Sequence, residues 1–459
     1  MPAELFDAIV VGTGQAGSPL ATRCSQEGWR VAVLERGAFG GTCVNVGCTP
    51  TKAMVASARA IHQARRGADF GFSAGVIAVD MARIQARKNA LVQQSTAGVE
   101  KSLRALPQTE VVTGNARFVS PLTLQVGERT LSAPRIFINV GARAARPDIA
   151  GIDTVPTLDN IALLALPCVP RHLVIVGGSY IGLEFAQMMR RFGAQVTVVD
   201  TSDRLLSRED ADVSAGIRAI LAAEGIGFVL GAEQLALSMQ GQDIALSARL
   251  AGQVQTIVGS HLLLATGRQP NTEPLGLALA GIATDARGYI TVDSQCRTTA
   301  DGVWAVGDCN GRGAFTHTAY NDYEIVAANL FDDDRRSLDD RIPCYALYID
   351  PPLGRIGLSE QAVRQSGHAA LVARLPMQRV ARAREMGETQ GFMKVLVDAA
   401  SKQLLGAAIL GHNGDEVVHT LLALMVAKQP YSVMARTMHI HPTISELLPT
   451  LLQQLRPLR

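Results

Sequence analysis

The chain has 459 residues, 47% of them hydrophobic and 43 of them glycine, enough to bury the cores of about three α/β domains. A formal net charge of +2, with 18% charged residues and no basic block or acidic tail, gives no footprint for nucleic acid or a charged membrane surface. No apolar run approaches the roughly 18 residues of a membrane span. A strand begins by Asp7, where a leader peptide would otherwise lie, and the seven cysteines are odd in number and widely scattered. A cytoplasmic protein is expected, and in a reducing compartment a close cysteine pair points to catalysis.

Residues 7–12 read as a buried strand that runs into Gly12-Thr13-Gly14-Gln15-Ala16-Gly17 and a helix to about Glu27. A second strand, 30–34, ends at Glu35. Glycines at that spacing allow a tight turn and close backbone approach, so a pyrophosphate can rest on the helix N-terminus while the acidic residue binds a ribose hydroxyl. A lone glycine motif is weak evidence, but the full strand, helix, strand and terminal Glu make a strong one.

Directly after this unit comes Gly40-Gly41-Thr42-Cys43-Val44-Asn45-Val46-Gly47-Cys48-Thr49-Pro50-Thr51-Lys52. Five residues of regular helix rise about 7.5 Å, more than the roughly 7 Å Cα separation that a disulfide bridges. The 43–48 stretch is therefore expected to be irregular, with Gly47 supplying freedom and Pro50 in the first turn of a following helix. Such a helix start stabilises a thiolate. The placement suggests a disulfide supplied with electrons by a flavin; two unlinked buried cysteines are the alternative.

The dinucleotide pattern recurs. Residues 172–176 form a strand, Gly177-Gly178-Ser179-Tyr180-Ile181-Gly182 the turn, 183–192 a helix, and 195–199 a strand ending at Asp200. Gly12 and Glu35 are 23 positions apart, as are Gly177 and Asp200, which implies two dinucleotides. Ser179 replaces the middle glycine, setting the pyrophosphate slightly farther from the backbone. Residues 137–142 and 263–271 each read as an apolar strand followed by turn residues, where the chain crosses between domains. Residues 303–308 form another short strand ending at Asp308, an acceptor for a flavin side-chain hydroxyl or a plain turn aspartate. The last third, with strands at 392–397 and 405–410 and a helix at 416–427, fits a mixed sheet with helices in a separate domain. It closes on His439-Ile440-His441-Pro442-Thr443-Ile444-Ser445-Glu446 and an apolar helix from Leu447.

Together these residues resemble the pyridine nucleotide-disulfide oxidoreductases, the family of dihydrolipoamide dehydrogenase, glutathione reductase and mercuric reductase, over essentially the whole chain. The most specific marks are Gly41-Thr42-Cys43 through Lys52, Thr266-Gly267-Arg268, Val306-Gly307-Asp308, and His441-Pro442-Thr443 with Glu446. The resemblance implies an α/β fold with two Rossmann-like dinucleotide-binding domains and a C-terminal α+β dimerisation domain. The FAD-binding domain would take 1–147 and return over 271–340, with an NAD(P)-binding domain at 148–270 and the dimerisation domain at 341–459.

It also implies site roles. Cys43 would attack substrate and Cys48 face the flavin as the charge-transfer thiol, with Lys52 and Glu184 pairing near the flavin. Gly12, Gly14, Gly17, Glu35, Gly41, Thr42, Lys52, Ala116, Gly141 and Asp308 would hold FAD. Gly177, Ser179, Tyr180, Gly182, Asp200, Gly267 and Arg268 would hold the nicotinamide nucleotide, and Tyr180 matches an aromatic that in some members covers the empty nicotinamide site. His441 and Glu446 would form an acid/base dyad that reaches the cysteines of the other subunit in a homodimer. His439 is expected to be structural, and no resident metal is expected.

Asp200 is the residue type that accepts from a ribose 2′-hydroxyl and repels a 2′-phosphate, so NADH is expected; Arg204 and Arg208 are near enough in sequence to admit NADPH. Mercuric reductases carry a C-terminal vicinal cysteine pair and a tyrosine where this chain has His441, which argues against Hg(II) as substrate. The segment 379–386, with Arg379, Arg382 and Arg384, is similar to the mercuric-reductase-like subgroup that includes the reactive chlorine resistance flavoprotein and hypothiocyanous acid reductases; a solvated strand face is the plainer reading. The expected activity is hydride transfer from NAD(P)H through FAD to the Cys43–Cys48 disulfide, whose dithiol reduces a small electrophilic or disulfide substrate, hypothiocyanous acid being favoured. Lipoamide turnover, Hg(II) or Cu(II) reduction, and a non-catalytic redox sensor or soft-metal clip are the rivals. Cys24, Cys168, Cys296, Cys309 and Cys344 are assigned to packing.

Overall fold

The computed structural model describes residues 2–367 and 369–458. The chain divides into two compact units: residues 1–54, 82–145 and 267–341 make the first, and 55–81, 146–266 and 342–459 the second.

In the first unit, Ala8–Val11 sits at the centre of a five-stranded parallel sheet, between Ile136–Ile138 and Val31–Glu35, with Val303–Ala305 and Thr109–Thr113 outermost. All four residues of Ala8–Val11 are buried, as expected of a parallel strand covered on both faces. Alternation decides which side each serves. Ala8, Val10, Val31 and Val33 pack with Leu20 and Ile325 of the covering helices Gly17–Gln26 and Thr316–Phe331. Ile9, Val11, Ala32 and Leu34 pack instead with Phe118, Leu124 and Leu131 of a four-stranded sheet below.

The second unit repeats the parallel arrangement in Gly227–Leu230, Gln195–Asp200, His172–Val176 and His261–Leu264. An antiparallel meander, Glu233–Gln240, Asp243–Leu250 and Gln253–Gly259, packs its apolar face on that sheet. The last third forms a six-stranded sheet in the order Cys344–Leu347, Leu353–Gly357, Leu404–Leu410, Phe392–Asp398, Ala370–Pro376 and Arg456–Pro457. Every pairing in it is antiparallel, so the expected mixed sheet is corrected. The physical reason is that neighbouring strands such as Phe392–Asp398 and Leu404–Leu410 are joined by short links, whereas parallel pairing needs a long crossover. Helix Gly414–Val426 covers one face through Val417, Val418 and Leu421.

Within this unit, polar side chains join the parallel sheet's helices to the antiparallel sheet. Arg191, 4% exposed, binds Asp350 and Glu224, each at 2.7 Å, and Gln187 donates to the carbonyl of Asp350 at 2.8 Å. Lys394, 2% exposed in the middle of its strand, binds Asp210 at 2.8 Å and Asp212 at 2.6 Å. Burial pulls the Lys394 ammonium down, but the hydrogen bonds it donates to Asp210 and Asp212 outweigh that and hold the group above the ordinary lysine range. No helix among the described residues is long and apolar enough to cross a membrane.

Lys394→Met would leave Asp210 buried without its closest counter-charge. The expected loss is about 3–5 kcal/mol, read as a lower urea midpoint for the second unit. Because the folded pKa is raised, the stabilisation is complete below the ordinary lysine pKa and fades as pH rises through the raised value.

Candidate active site

The first glycine turn is set by backbone contact. Gly12 has φ +99°, and a Cβ there would lie 2.4 Å from the Asn139 carbonyl oxygen. Asn139 accepts from the Gly17 amide at 3.0 Å and donates to the Val306 carbonyl at 2.9 Å, tying the turn to the ends of two further strands. Sequence reading passed over Asn139; a lone amide closing an apolar strand was its one signal. Glu35 accepts from the amide and hydroxyl of Thr13 at 3.0 and 2.6 Å, and from Gly37 at 2.9 Å. Thr13 in turn accepts from the Gly40 amide at 3.2 Å. A Cβ on Gly41 would stand 2.8 Å from the Gly14 Cα, so the two glycine runs form a cradle with no room for side chains.

Asp308 follows the strand Val303–Ala305 in a tight turn and lies 3.1 Å from Arg268. Burial raises the Asp308 carboxyl, with Arg268 opposing. Arg268 donates to the Ala142 carbonyl at 2.6 Å, while its Nε is buried with no acceptor among the described residues. Gly141 accepts from the Asn271 amide at 3.0 Å and Gly267 from Ala145 at 3.0 Å. Ala116 is buried in the core below the sheet. A side-chain-free cradle, a carboxylate at the neighbouring strand end and a buried unpaired donor beside Asp308 fit a flavin dinucleotide.

The second turn copies the first. Gly177 has φ +117°, a Cβ on it would meet the Ala265 carbonyl oxygen at 2.4 Å, and one on Gly182 would meet Gly177 O at 2.0 Å. Ser179 is exposed and extended, and caps the helix Tyr180–Phe192 without a side-chain bond. Asp200 accepts from the Gly178 amide at 2.5 Å and the Ser202 amide at 2.8 Å. A cavity of 390 Å³ is lined by Arg204, Arg218, Ser214 and Leu230 among others. Glu184, one turn into the helix and 6% exposed, accepts from the Tyr348 amide at 3.0 Å. Lys52 belongs to the first unit and Glu184 to the second.

The cysteine segment corrects one expectation. Cys43 lies in a regular short helix, Gly41–Val46, and Cys48 opens the helix Cys48–Arg65; the irregularity is confined to Gly47. A single break suffices because Gly47 adopts φ −128°, ψ −114° and a Cβ there would stand 2.8 Å from the Thr42 carbonyl oxygen. Pro50 occupies the first turn as expected. Cys43 is half-buried and Cys48 exposed, and the two thiols hydrogen-bond to each other. That bond to Cys48, then burial, pushes the Cys43 thiol up, with the hydroxyl of Thr316 opposing. Cys48 Sγ also lies 3.1 Å from the hydroxyl of Thr316, a residue without a sequence motif to mark it. Asn45 fastens the short helix by donating to Phe39 and Gly41 carbonyls and accepting from Thr96.

His441 Nδ1 meets Glu446 at 2.8 Å, with the imidazole 73% exposed and the carboxylate 16%. Thr443 accepts from the Glu446 amide at 3.2 Å and so orients it. Met438 and Ile440 beside the dyad are exposed. His439 bonds only the Thr437 carbonyl, at 2.8 Å, among the described residues. Cys24, Cys296 and Cys309 are buried, but Cys168 is exposed, which removes it from the packing group. The arginine segment is not a strand face: Met377–Arg379 is a tight turn and Ala381–Glu385 a short helix, in which Arg382 pairs with Glu385 at 3.2 Å.

Comparison with known proteins agrees with this geometry. The family model described as pyridine nucleotide-disulphide oxidoreductase matches residues 6–322, and that of the family's dimerisation domain matches 344–452. The chain is 36% identical to the probable pyridine nucleotide-disulfide oxidoreductase RclA of Escherichia coli (strain K12), over 96% of this chain and 98% of the relative. It is 33% identical to the mercuric reductase of Streptomyces lividans, over 96% and 94%. A solved Cu(II) complex of the HOCl-induced flavoprotein disulfide reductase RclA from Escherichia coli superposes with a TM-score of 0.89 at 36% identity, covering 97% of this chain and 99% of that one. With both family models matched in order along one chain, the protein belongs to the pyridine nucleotide-disulphide oxidoreductases, enzymes that use FAD and NAD(P)H.

Proposed function

We propose that this protein is an NADH-dependent reductase of small sulfenyl-type oxidants, with hypothiocyanous acid the favoured substrate, acting as a homodimer. The observation that carries the reading is the geometry of the cysteine pair, two neighbouring thiols on either side of a single glycine break, with Cys48 at the start of a helix. Cys48, at a helix N-terminus and beside Thr316, is the sulfur suited to hold negative charge, whereas Cys43 keeps its proton until a base removes it.

FAD, when bound, supplies the two-electron link between nicotinamide and sulfur. Glu35, Asp308 and the glycine cradle would hold it, while Gly177, Ser179, Gly182, Gly267 and Asp200 would hold NADH. The partner's His441, oriented by its Glu446, would take the Cys43 proton. The exposed Met438 and Ile440 flanking His441 support its burial against a second copy. The Cys43 thiolate then attacks the sulfur of the oxidant, forming a mixed sulfenyl adduct and releasing hydroxide, which takes up a proton as water. Cys48 attacks Cys43 Sγ, expels the reduced fragment as thiocyanate and leaves the disulfide. The relative's description as an HOCl-induced disulfide reductase supports an oxidant as acceptor.

A metal reading has one specific support, the Cu(II) complex of that same relative. Two thiols suit a soft ion, but the His441–Glu446 dyad has no task in simple sequestration. His441 in place of tyrosine argues further against Hg(II).

The deciding experiment is anaerobic reduction of the purified dimer with NADH, followed by separate additions of hypothiocyanite, lipoamide, Hg(II) and Cu(II) while flavin reoxidation is recorded. Fast reoxidation by lipoamide alone would sink the oxidant reading. Cys43→Ser is expected to abolish acceptor turnover while FAD stays bound and is still reduced by NADH. His441→Asn should slow acceptor reduction by about 10²–10⁴-fold. Its residual rate should climb with pH, because the raised Cys43 thiol then ionises unaided. Asp200→Ser should lower the NADH/NADPH ratio of kcat/KM by at least about tenfold.

A further inference from the structure

Tyr180 heads the helix of the second glycine turn, and a set of buried side chains used by neither the nucleotide turn nor the cysteines closes around it. Tyr345 meets its ring edge-on, with centroids 5.4 Å apart and planes at 78°. The two phenols share a hydrogen bond, and the Tyr345 hydroxyl also donates to Glu209 Oε1. The Glu209 side chain is 0% exposed and faces the guanidinium of Arg355, itself 2% exposed, at 3.8 Å. Arg355 lies 3.7 Å from Asp210 as well, and Glu209 Oε2 and both terminal nitrogens of Arg355 make no hydrogen bond among the described residues.

These distances define a loose buried ion pair. At 3.8 Å Arg355 offers Coulombic attraction without a hydrogen bond, so the Tyr345 hydroxyl is the close donor to the Glu209 side chain among the described residues. A buried carboxylate bonded in this way holds its donor firmly. Burial raises both phenols, Tyr180 to about 12, so both stay protonated and able to donate at neutral pH. Tyr345 is thereby fixed at its hydroxyl, and its ring and oxygen bear on Tyr180.

We infer that Tyr345, anchored by Glu209, is a positioning residue that latches Tyr180 in its resting place, so that the nicotinamide must break the Tyr180–Tyr345 contact to bind. The inference rests on the reading that Tyr180 covers the nicotinamide site. A latch makes the competent, open form a minor population and raises the nucleotide concentration needed to fill it. It leaves the reaction of the dithiol with its acceptor untouched.

The test uses the FAD-loaded dimer, mixed anaerobically with NADH in a stopped-flow instrument that follows flavin absorbance. Tyr345→Phe keeps the ring and removes the hydroxyl; it should lower the NADH concentration for half-maximal reduction rate by about fivefold. The rate of the prereduced enzyme with its acceptor should not change. Glu209→Gln should act in the same direction and guards against a folding defect in the first variant. Tyr180→Phe should reproduce the shift, and the double variant should add nothing to either single one. Unchanged half-saturation in Tyr345→Phe and Glu209→Gln, or a fall in melting temperature without a kinetic effect, would leave the network purely structural and overturn the latch. Tyr180→Ala separates the two levels. If it alters neither half-saturation nor limiting rate, the covering role of Tyr180 fails; if it alters them while Tyr345→Phe does not, the latch alone fails.

Discussion

Backbone packed directly on backbone is the constraint from which both nucleotide-binding halves are built. At Gly12 and Gly177 a strand end bends against the carbonyl of a neighbouring strand with no space for a Cβ, and the positive φ excludes most other residues. The bend sets the start of the following helix, Gly17–Gln26 or Tyr180–Phe192, and its first amides are the groups that would receive a pyrophosphate. Glu35 and Asp200 then reach back to amides of their own turns, at Thr13 and Gly178. Two stretches with unrelated side chains arrive at one geometry because that geometry is decided where side chains are missing.

The cysteine pair shows the same economy. A single glycine between two helices brings Cys43 near Cys48 and gives Cys48 a helix N-terminus, so one break supplies both proximity and charge placement. Thr316 contributes from the start of another helix in the same unit. In the proposed reaction the two sulfurs divide the work: Cys48 at the helix start would hold charge, and the half-buried Cys43 would need a base. The proposal assigns that base to His441, which is exposed and held by Glu446 at 2.8 Å.

Buried charge is concentrated in the second unit, where Lys394 and Arg355 of the antiparallel sheet face carboxylates of the parallel-sheet half, and Arg191 of that half binds Asp350 in return. Such groups stabilise only when paired, so they fix a relative placement that apolar contact alone would permit to slide. Tyr180 stands at the edge of this network. A side chain proposed to move is thus held by neighbours that cannot easily move.

Periodicity and spacing in the sequence determined the two glycine turns, their terminal acids, the cysteine pair and the His-Pro segment, because each is local: the residues that act together lie within a few turns of chain. The parallel strands were legible for the same reason, being short apolar runs between turns. The all-antiparallel pairing of the last sheet, the meander Glu233–Gln240 to Gln253–Gly259, and the contacts of Asn139, Thr316 and Tyr345 were decided only by tertiary structure. Those depend on partners far away in the chain, and an amide, a hydroxyl or a phenol carries no pattern that announces its partner. Strand pairing likewise follows from which faces meet, which is a property of the packed whole.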